Sequence, residues 1–423
     1  MKNRLHIFRN RSSIKVLVLF FFSVLSFSTA QQKPNVLLIN IDDMGWKDVG
    51  FMGSDFYETP NIDALSAAGM VFNNGYTSAA NCAPSRACLL TGLWPQRHGV
   101  FTVGSSQRGN KEDRKIIPIK NTRFLSNKFK VIPQYLKEVG YNTYHIGKWH
   151  ISKNPKDFGF DVNIGGSDAG FPKSYFPPYK NVDVEGSGAA YLTDVLAEKA
   201  VTLMTASKEP FFMYYATYAV HLPINPIPEL VPKYLKRESK LGQTNAKYAS
   251  MVENLDKNIG LLIKGLEDAG KFENTIIIFT SDNGGLYGIT SQKPLRSGKG
   301  SYYEGGIKVP FFLVWQNKIS KNTRSDFPIS NLDILPTILS LTSNGNKKNI
   351  VDGADLSSLL LHRKNLMERP LFWHFPIYLQ SKNWKGFVNE NRDPLFRTRP
   401  GSAVRLGDWK LIYYYENDDL ELF

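Results

Sequence analysis

Residues 36–43 read Val-Leu-Leu-Ile-Asn-Ile-Asp-Asp, an almost continuous apolar run that ends in two adjacent acids. A strand that is apolar on both faces is typical of a parallel sheet covered by helices on both sides. Similar runs occur at 143–146, 211–215, 275–280 and 309–315, and longer amphipathic segments separate them. This alternation predicts an α/β fold whose sheet is covered by helices on both faces.

Three helices are predicted from apolar periodicity and from the glycine that follows each of them. The clearest runs from Asn245 to Ala269, where apolar residues recur at helical spacing, and Gly270 follows it. Shorter helices are predicted at 61–68 and 132–139. These helices are expected to cover the central sheet.

From about Arg369 the composition changes to closely spaced aromatic residues and prolines. Residues 409–415 read as a strand with one exposed face, and a return strand begins at Leu420. We therefore predict a small C-terminal subdomain, residues 369–423, with a short antiparallel sheet. Because the return strand stops after four residues, this subdomain is expected to be truncated.

Residues 1–30 have the pattern of a cleavable signal peptide. Basic residues precede an apolar run at 16–27, and Ser28 and Ala30 form a small-residue cleavage site. The apolar run is shorter than the roughly 20 residues of a membrane span, so cleavage is favoured over an uncleaved N-terminal anchor. We therefore expect a periplasmic or secreted protein without a stable membrane anchor.

The charge of the chain favours a polyanionic partner. The formal net charge is +14, and five of the 52 Lys and Arg residues lie in residues 1–30, which contain no acid. The remainder carries 47 basic and 38 acidic residues. A positive surface attracts polyanions, but no recognition helix or RNA-binding motif is present, so nucleic acid is not expected as a partner. Sulfated or phosphorylated glycans are the favoured class.

Polar side chains follow two predicted strands at the edge where open α/β sheets bind ligands. Asp42 and Asp43 follow the first strand, and Asp282 and Asn283 follow the strand at 275–280. Four oxygen-bearing side chains suit a hard divalent ion such as Ca²⁺ or Mg²⁺. For a single Asp, the capping of a helix is the alternative interpretation. Together, the four residues predict a metal site.

Basic side chains follow two other predicted strands. Lys148 and His150 come after the strand at 143–146, and His221 comes shortly after the strand at 211–215. Such groups beside a metal site suit acid–base chemistry. Taken singly, each of the two histidines is equally compatible with a structural role, and Lys148 is equally compatible with a surface position.

Cys82 and Cys88 are the two cysteines of the chain. Six residues apart at the start of a predicted helix, they have poor relative geometry for a disulfide, so we expect free thiols. Pro84 in the first turn puts Cys82 at the helix N-terminus, where free N–H groups favour an anion or a thiolate. Arg86, one turn later, adds donors for a tetrahedral oxyanion. Cys88 is expected to be buried and inert.

Residues 82–92, Cys-Ala-Pro-Ser-Arg-Ala-Cys-Leu-Leu-Thr-Gly, resemble the signature of the formylglycine-dependent (type I) sulfatases, relatives of the alkaline phosphatases. The resemblance covers essentially all of the chain after Ala30 and implies an alkaline phosphatase-like α/β fold with a catalytic domain at 31–368. In such a fold, helices sandwich a large central, mixed but mostly parallel sheet. Further segments match the family pattern in the same order, namely Asp42-Asp43, Gly147-Lys148-Trp149-His150, His221 with Pro223, Asp282-Asn283-Gly284 and Gly298-Lys299-Gly300.

The resemblance implies a modified nucleophile and a metal cofactor. Cys82 would be converted to formylglycine by a formylglycine-generating (sulfatase-maturating) enzyme, and the hydrated aldehyde would attack sulfur. The modified residue would bind Ca²⁺, with Mg²⁺ the less favoured ion, together with Asp42, Asp43, Asp282 and Asn283.

The resemblance also implies roles for the basic residues. Arg86 would support the modified residue and the metal, while Lys148 and Lys299 would contact sulfate. His221, together with Lys299, would protonate the leaving oxygen. His150 would deprotonate the second hydroxyl and so expel sulfate.

The expected substrate is a sulfated oligosaccharide or polysaccharide of the galactan or glycosaminoglycan type, with a galactose-type 4-O-sulfate as the narrower prediction. Aromatic residues between Trp373 and Phe387, including Trp384, either line the mouth of the site or form a small core. His374 among them is the predicted substrate contact. The basic residues of 108–130 either hold a polyanion or form a solvated loop.

Two alternatives use the same scaffold. A phosphodiesterase or phosphonate monoester hydrolase of the same superfamily would employ the same modified cysteine. A non-catalytic glycan-binding homologue would keep the fold without conversion of Cys82. Assays on paired aryl sulfate and aryl phosphonate substrates distinguish the first alternative from a sulfatase. The chemical state of Cys82 distinguishes the second alternative from an active enzyme.

Overall fold

The structure is a computed structural model, and it describes residues 32–342, 351–364, 366–380 and 392–423. The predicted signal peptide and the aromatic residues Trp384 and Phe387 lie outside these ranges. Within them, no helix combines the length and the apolar character that crossing a membrane requires.

Strands and helices alternate through most of the described chain. In chain order, the strands are β1 (Asn35–Ile41), β2 (Met70–Phe72), β3 (Gly75–Tyr76), β4 (Asn142–Gly147), β5 (Val162–Ile164), β6 (Phe211–Ala216), β7 (Thr275–Ser281), β8 (Phe312–Val314), β9 (Thr323–Ser325), β10 (Ile329–Ser330), β11 (Leu371–Phe375), β12 (Leu379–Gln380), β13 (Phe396–Thr398), β14 (Gly401–Leu406), β15 (Trp409–Tyr414) and β16 (Asp419–Leu422). The α-helices are α1 (Pro60–Ala67), α2 (Cys82–Thr91), α3 (Pro95–His98), α4 (Ile132–Lys137), α5 (Leu192–Ala206), α6 (Val231–Leu235), α7 (Ala246–Asp268), α8 (Glu304–Ile307), α9 (Ile334–Thr342) and α10 (Ser357–His362).

The central sheet has eight strands in the order β5-β4-β6-β1-β7-β8-β2-β9. The first five of these run parallel to one another. β8 is antiparallel to both of its neighbours, and β2 and β9 are parallel. The predicted mixed, mostly parallel sheet is therefore confirmed.

Side chains of the central strands alternate between two apolar layers, as the pleat of a strand requires. In β1, Leu37 and Ile39 face the layer that contains α5 and α7. Val36 and Leu38 face the layer that contains α2, α4, α9 and α10. All four side chains are fully buried, which explains why this strand is apolar at nearly every position.

Several predicted elements differ from the observed ones at their ends. The helices predicted at 61–68 and 132–139 are α1, Pro60–Ala67, and α4, Ile132–Lys137. The long helix is α7, Ala246–Asp268, and Asn245 is its N-cap because the Asn245 side chain accepts a hydrogen bond from the Tyr248 N–H. The strand predicted at 309–315 is shortened to β8, Phe312–Val314. Pro310 has no N–H to donate to a neighbouring strand, which limits pairing at that end.

A second, antiparallel sheet of order β11-β14-β15-β16 lies near the C-terminus. It includes the predicted hairpin, observed as β15 and β16. Trp373, Phe375 and Ile412 from this sheet pack with Tyr302 and Ile307 in a third apolar cluster. Residues 33–423 form one compact unit, and the boundary at residue 369 stays a prediction.

Asp48 joins three segments around the carboxyl end of the central sheet. Its buried carboxylate accepts hydrogen bonds from the Gly45 N–H and the Tyr248 hydroxyl at 2.8 and 2.7 Å. It also accepts from Thr290 and Gln292 at 2.6 and 3.0 Å. The segments that follow β1 and β7 are thereby fixed to each other and to α7.

We predict that Asp48→Ala lowers the free energy of unfolding by about 3 kcal/mol, because several buried donors lose their acceptor. Urea denaturation measures the change. The matched control is Asp268→Ala, which removes an exposed carboxylate paired with Lys264 on α7 and should leave stability unaltered. Equal stability of the two variants would contradict this role of Asp48.

Candidate active site

Three carboxylate side chains and one amide side chain meet at the carboxyl ends of adjacent parallel strands. Asp42 and Asp43 directly follow β1, and Asp282 and Asn283 directly follow β7. The register pairs the last residues of these strands, so the four polar side chains start side by side. The Asp43 N–H donates to Asp282 Oδ1 at 3.2 Å, and all four residues are buried.

Helix α2 places Cys82 and Arg86 at this edge of the central sheet. Cys82 is the first residue of α2, is 2% exposed, and has its Sγ 3.7 Å from Asp42 Oδ1. The fully buried Arg86 donates from Nε to Asp282 Oδ2 and from Nη1 to the Lys148 carbonyl, both at 2.8 Å. Arg86 therefore ties α2 to the segments that follow β7 and β4.

Two lysines neutralise the acids that follow β1. Lys148 Nζ lies 2.8 and 2.7 Å from the two carboxylate oxygens of Asp42. Lys299 Nζ lies 2.6 and 2.8 Å from those of Asp43. These contacts bring residues separated by more than 100 positions into one buried cluster.

Gly147 sets the position of Lys148. Its φ is +93°, and a Cβ atom there would lie 2.1 Å from the carbonyl oxygen of Ala216. The Lys148 N–H donates to that same carbonyl at 2.6 Å. Only glycine permits so close an approach between the ends of β4 and β6.

His221 presents its Nε2 to the acidic cluster. Nδ1 donates to the Leu222 carbonyl at 2.8 Å, because a carbonyl oxygen can only accept, and Nε2 lies 3.6 Å from Asp43 Oδ2. Burial and Lys299 lower the pKa of His221, but the Asp43 and Asp42 carboxylates outweigh them and the net shift is upward. The Phe171 ring stacks on the imidazole at 5.8 Å. The imidazole is therefore disposed to carry and donate a proton.

The pKa of His150 is shifted in the direction opposite to that of His221. Burial lowers its pKa well below the usual range, and Lys148 and Arg86 add to that effect. Its buried Nδ1 has no hydrogen-bond partner among the described residues. Gly170 lies close to the ring, since a Cβ there would be 2.7 Å from Nε2. A neutral imidazole held this way suits a proton acceptor.

The cluster shifts the pKa of its other members. Burial raises the pKa of Asp42 well above its usual range. Burial also acts to raise the pKa of Asp43, but Lys299 and His221 reverse this and lower it. For Cys82, burial opposes ionisation, yet Lys148 and Lys299 lower the thiol pKa to about 6. Position 82 is thus a site that stabilises negative charge.

The oxygen-bearing side chains of this cluster suit a hard divalent cation, whereas the Cys82 thiol and the His221 imidazole beside them are not ligands of that kind. Ligand atoms of Asp42, Asp43, Cys82 and His221 all lie within 4.8 Å of one another. Asn283 Oδ1 is buried with no hydrogen-bond partner among the described residues, while the Asn283 Nδ2 donates to Asp43. Carboxylate and amide oxygens of this kind fit Ca²⁺ or Mg²⁺. The geometry thus supports a metal-binding acidic cluster.

A cavity of about 940 Å³ opens onto this cluster. Four of the predicted site residues line it, namely Cys82, His150, His221 and Lys299. Its volume is in the range of sites that hold small-molecule ligands, roughly 300–1,000 Å³. The predicted residues therefore meet at the floor of an accessible cleft.

His374 is not among the residues that line this cavity. Its Nδ1 lies 3.0 Å from Ser402 Oγ and 2.9 Å from the Tyr415 hydroxyl, and its ring packs edge-on against Phe101. The structure does not bring His374 together with the other predicted residues, because strand β11 turns it into these local contacts.

Most of the lining residues were not predicted to belong to the site, among them Phe171, Arg397 and Arg108. Phe171 lies in an irregular segment with no motif, and Arg397 lies in a short strand of the C-terminal region. Arg108 was noted only as part of a basic run. The sequence carries no periodic or motif signal that would single these residues out. No disulfide joins Cys82 and Cys88 in the structure, which agrees with the prediction from their spacing.

Comparison with known proteins identifies similar sequences and structures. The sulfatase family model matches residues 34–344. The chain is 31% identical to a sulfatase of Formosa agariphila, with 93% of this chain and 83% of the relative covered. It is also 31% identical to N-acetylgalactosamine-6-sulfatase of Canis lupus familiaris, with 85% and 72% covered. The solved structure of Ps i-CgsB in complex with k-i-k-neocarrahexaose has a TM-score of 0.74 and 29% identity, over 93% of this chain and 86% of that one.

We predict that a Cys82 left as a thiol titrates with a midpoint near pH 6 in the metal-free protein. The lowered pKa means that the thiolate predominates above this pH, whereas an ordinary cysteine ionises at about pH 8.5. The ultraviolet absorbance of the thiolate reports the titration. Lys299→Met should move the midpoint upward.

Cys88 provides the control for this titration. Burial raises the pKa of Cys88 well above its usual range, so Cys88→Ala should leave the transition in place and Cys82→Ala should remove it. A midpoint at or above the ordinary cysteine value would show that the lysines do not act on this thiol.

Proposed function

Because this chain belongs to the sulfatase family and is a sulfuric ester hydrolase, we propose that it removes sulfate from a sulfated carbohydrate. The observation that carries the proposal is that Cys82, Lys299 and two histidines line one cavity beside buried acids, one of which is paired with the buried Lys148. One relative is named as an N-acetylgalactosamine-6-sulfatase, and one similar structure is a complex with k-i-k-neocarrahexaose.

We propose that Cys82 acts after conversion to formylglycine by a maturating enzyme of the host. A hydrated aldehyde at this position supplies one hydroxyl as nucleophile and a second hydroxyl for the release of sulfate. Support comes from the position of Cys82 at the N-terminus of α2, beside two lysines that favour negative charge.

Asp42, Asp43, Asp282 and Asn283 are the proposed ligands of Ca²⁺, together with the modified residue 82, and Mg²⁺ is the less favoured ion. When bound, the ion would supply positive charge that polarises a sulfate oxygen. Arg86 holds Asp282 in place through its 2.8 Å hydrogen bond and so orients one of these ligands.

Lys148 and Lys299 are proposed to bind the sulfate oxygens. Both ammonium groups now contact carboxylates, and both charges act on the Cys82 thiol. Lys299 lines the cavity, whereas Lys148 is fully buried. As the sulfur–oxygen bond to the sugar breaks, the leaving oxygen gains negative charge. His221 is proposed to donate the proton from Nε2 to that oxygen, with Lys299 beside it.

His150 is proposed to act in the second half of the reaction. It accepts the proton of the remaining hydroxyl on residue 82, the carbon–oxygen bond to sulfate breaks, and sulfate leaves as the aldehyde returns. The lowered pKa of His150 keeps the imidazole neutral and able to accept a proton. In this proposal His221 donates a proton in the first half of the reaction, and the neutral His150 accepts one in the second half.

The proposed substrate is a galactan or glycosaminoglycan fragment, with a galactose-type 4-O-sulfate as the specific candidate. The export signal predicted at residues 1–30 suits a periplasmic or secreted enzyme that meets such polymers. The positive balance of residues 31–423 favours a polyanionic glycan.

We predict that His221→Ala lowers kcat on an aryl sulfate by at least about 100-fold, because the leaving oxygen loses its proton donor. Cys82→Ala should abolish turnover. The control is His362→Ala, at an exposed position at the end of α10, which should retain the wild-type rate. Thermal unfolding verifies that all three variants fold, and near-normal turnover of His221→Ala or Cys82→Ala would contradict the assigned roles.

We also predict that protein from a host with the maturating enzyme carries an aldehyde in place of the Cys82 thiol. Mass analysis of the peptide that contains residue 82 detects this change. Paired assays should show faster hydrolysis of an aryl sulfate than of the matching aryl phosphonate. An unmodified Cys82 in fully active protein would refute the formylglycine mechanism, and a preference for the phosphonate would refute the substrate class.

A further inference from the structure

Two arginines line the cavity beyond the residues of the proposed reaction. Arg108 lies in the segment that precedes α4, and Arg397 is the central residue of β13. Both side chains are partly buried. They lie about 290 positions apart in sequence, so their meeting in one cavity is a product of the fold.

Main-chain pairing through a third segment holds the two arginines together. The Tyr378 N–H donates to the Ser106 carbonyl at 2.9 Å, and the next residue, Leu379, pairs with Thr398 in the β12–β13 ladder. The segment that carries Arg108 and the strand that carries Arg397 therefore flank the same short piece of chain.

A close contact also connects the residues adjacent to the arginines. Gly109 has a φ of +80°, and a Cβ atom there would lie 2.6 Å from the ring of Phe396. The chain next to Arg108 thus rests directly on the residue that precedes Arg397. The backbone segments that carry the two arginines are therefore fixed relative to each other.

The orientation of Arg397 follows from strand geometry. Phe396 and Thr398 are buried on one side of β13, so the side chain between them points to the other side, where the cavity lies. The aliphatic part of the Arg397 side chain packs against Gly300, since a Cβ atom at position 300 would lie 3.0 Å from Arg397 Cδ. Gly300 directly follows Lys299, so Arg397 lies beside the proposed sulfate-binding lysine.

The two charges are close enough to affect each other. Burial lowers the pKa of Arg397, and the Arg108 charge lowers it further although Asp43 opposes this. Burial also lowers the pKa of Arg108. Two guanidinium groups that line the same partly buried cavity make that part of the cavity positive, which favours the binding of an anion.

We propose that Arg108 and Arg397 form a second anion subsite, which binds a further sulfate or carboxylate group of the glycan whose scissile sulfate faces Cys82. This inference rests on the proposed function and narrows the substrate to a carbohydrate with at least two anionic groups. Guanidinium groups donate paired hydrogen bonds to the oxygens of either anion.

The test measures binding in the Cys82→Ala background, in which no turnover occurs. Three disaccharide probes share one sulfate ester, and two of them carry in addition a second sulfate or a uronate carboxylate. We expect at least about tenfold tighter binding of one or both dianionic probes than of the monosulfated probe. Adding Arg108→Gln or Arg397→Gln should remove most of that preference.

The matched control is Arg123→Gln, which removes an exposed arginine from the same basic segment and leaves the cavity intact. This variant should keep the preference. An unchanged preference in both Arg108→Gln and Arg397→Gln, an equal loss in Arg123→Gln, or no preference in the starting protein would overturn the proposal. A preference for only one dianionic probe would support it and would identify the second anion.

Turnover of the same probes by the protein with an intact Cys82 separates this inference from the proposed function. Absence of sulfate release would contradict the proposed reaction, while an arginine-dependent binding preference would still support the subsite. Normal release without any effect of the two arginines would leave the reaction standing and refute the subsite.

Discussion

The burial of three carboxylates at one edge of the sheet is the constraint on which the rest of the site depends. Asp42, Asp43 and Asp282 are removed from water, which costs several kcal/mol for each charge unless a partner compensates. Arg86, Lys148 and Lys299 supply that compensation, and each comes from a different segment. These ion pairs therefore hold the active-site segments in place, and they also set the positive charge around Cys82. The same positive groups favour an anion at Cys82, which links the stability of the cluster to its function.

The topology explains why these segments meet. Parallel neighbours such as β6, β1 and β7 all end at the same edge, so the residues that follow them converge without long connections. Gly147 and the left-handed backbone of Asp43 and His150 turn the chain sharply at this edge. Helix α2 then adds Cys82 from one apolar layer of the sheet, and the loop with Lys299 closes the cluster from the side of the C-terminal sheet. The cavity lies where these parts meet.

Much of this arrangement could be predicted from the sequence, because it depends on local patterns. The apolar strands, the polar residues at their ends and the helix that begins at Cys82 each have a local signal, and the topology brings them together. The strand predicted at 309–315 was too long, since periodicity does not register the missing donor of Pro310. His374, Arg108 and Arg397 show the limit of this reasoning. Whether such side chains face the cavity depends on the pairing of short strands far apart in the chain, which no local pattern encodes.

Calorimetric titration of calcium into metal-free protein tests most directly whether the buried acids form one cation site. We predict that a single ion binds per chain, with a large loss of affinity in Asp282→Asn, which keeps the size of the side chain but removes a charge. An exposed carboxylate on α7, changed in Glu267→Gln, should have no effect. Absence of binding, or equal affinity in Asp282→Asn and the unaltered protein, would contradict the account.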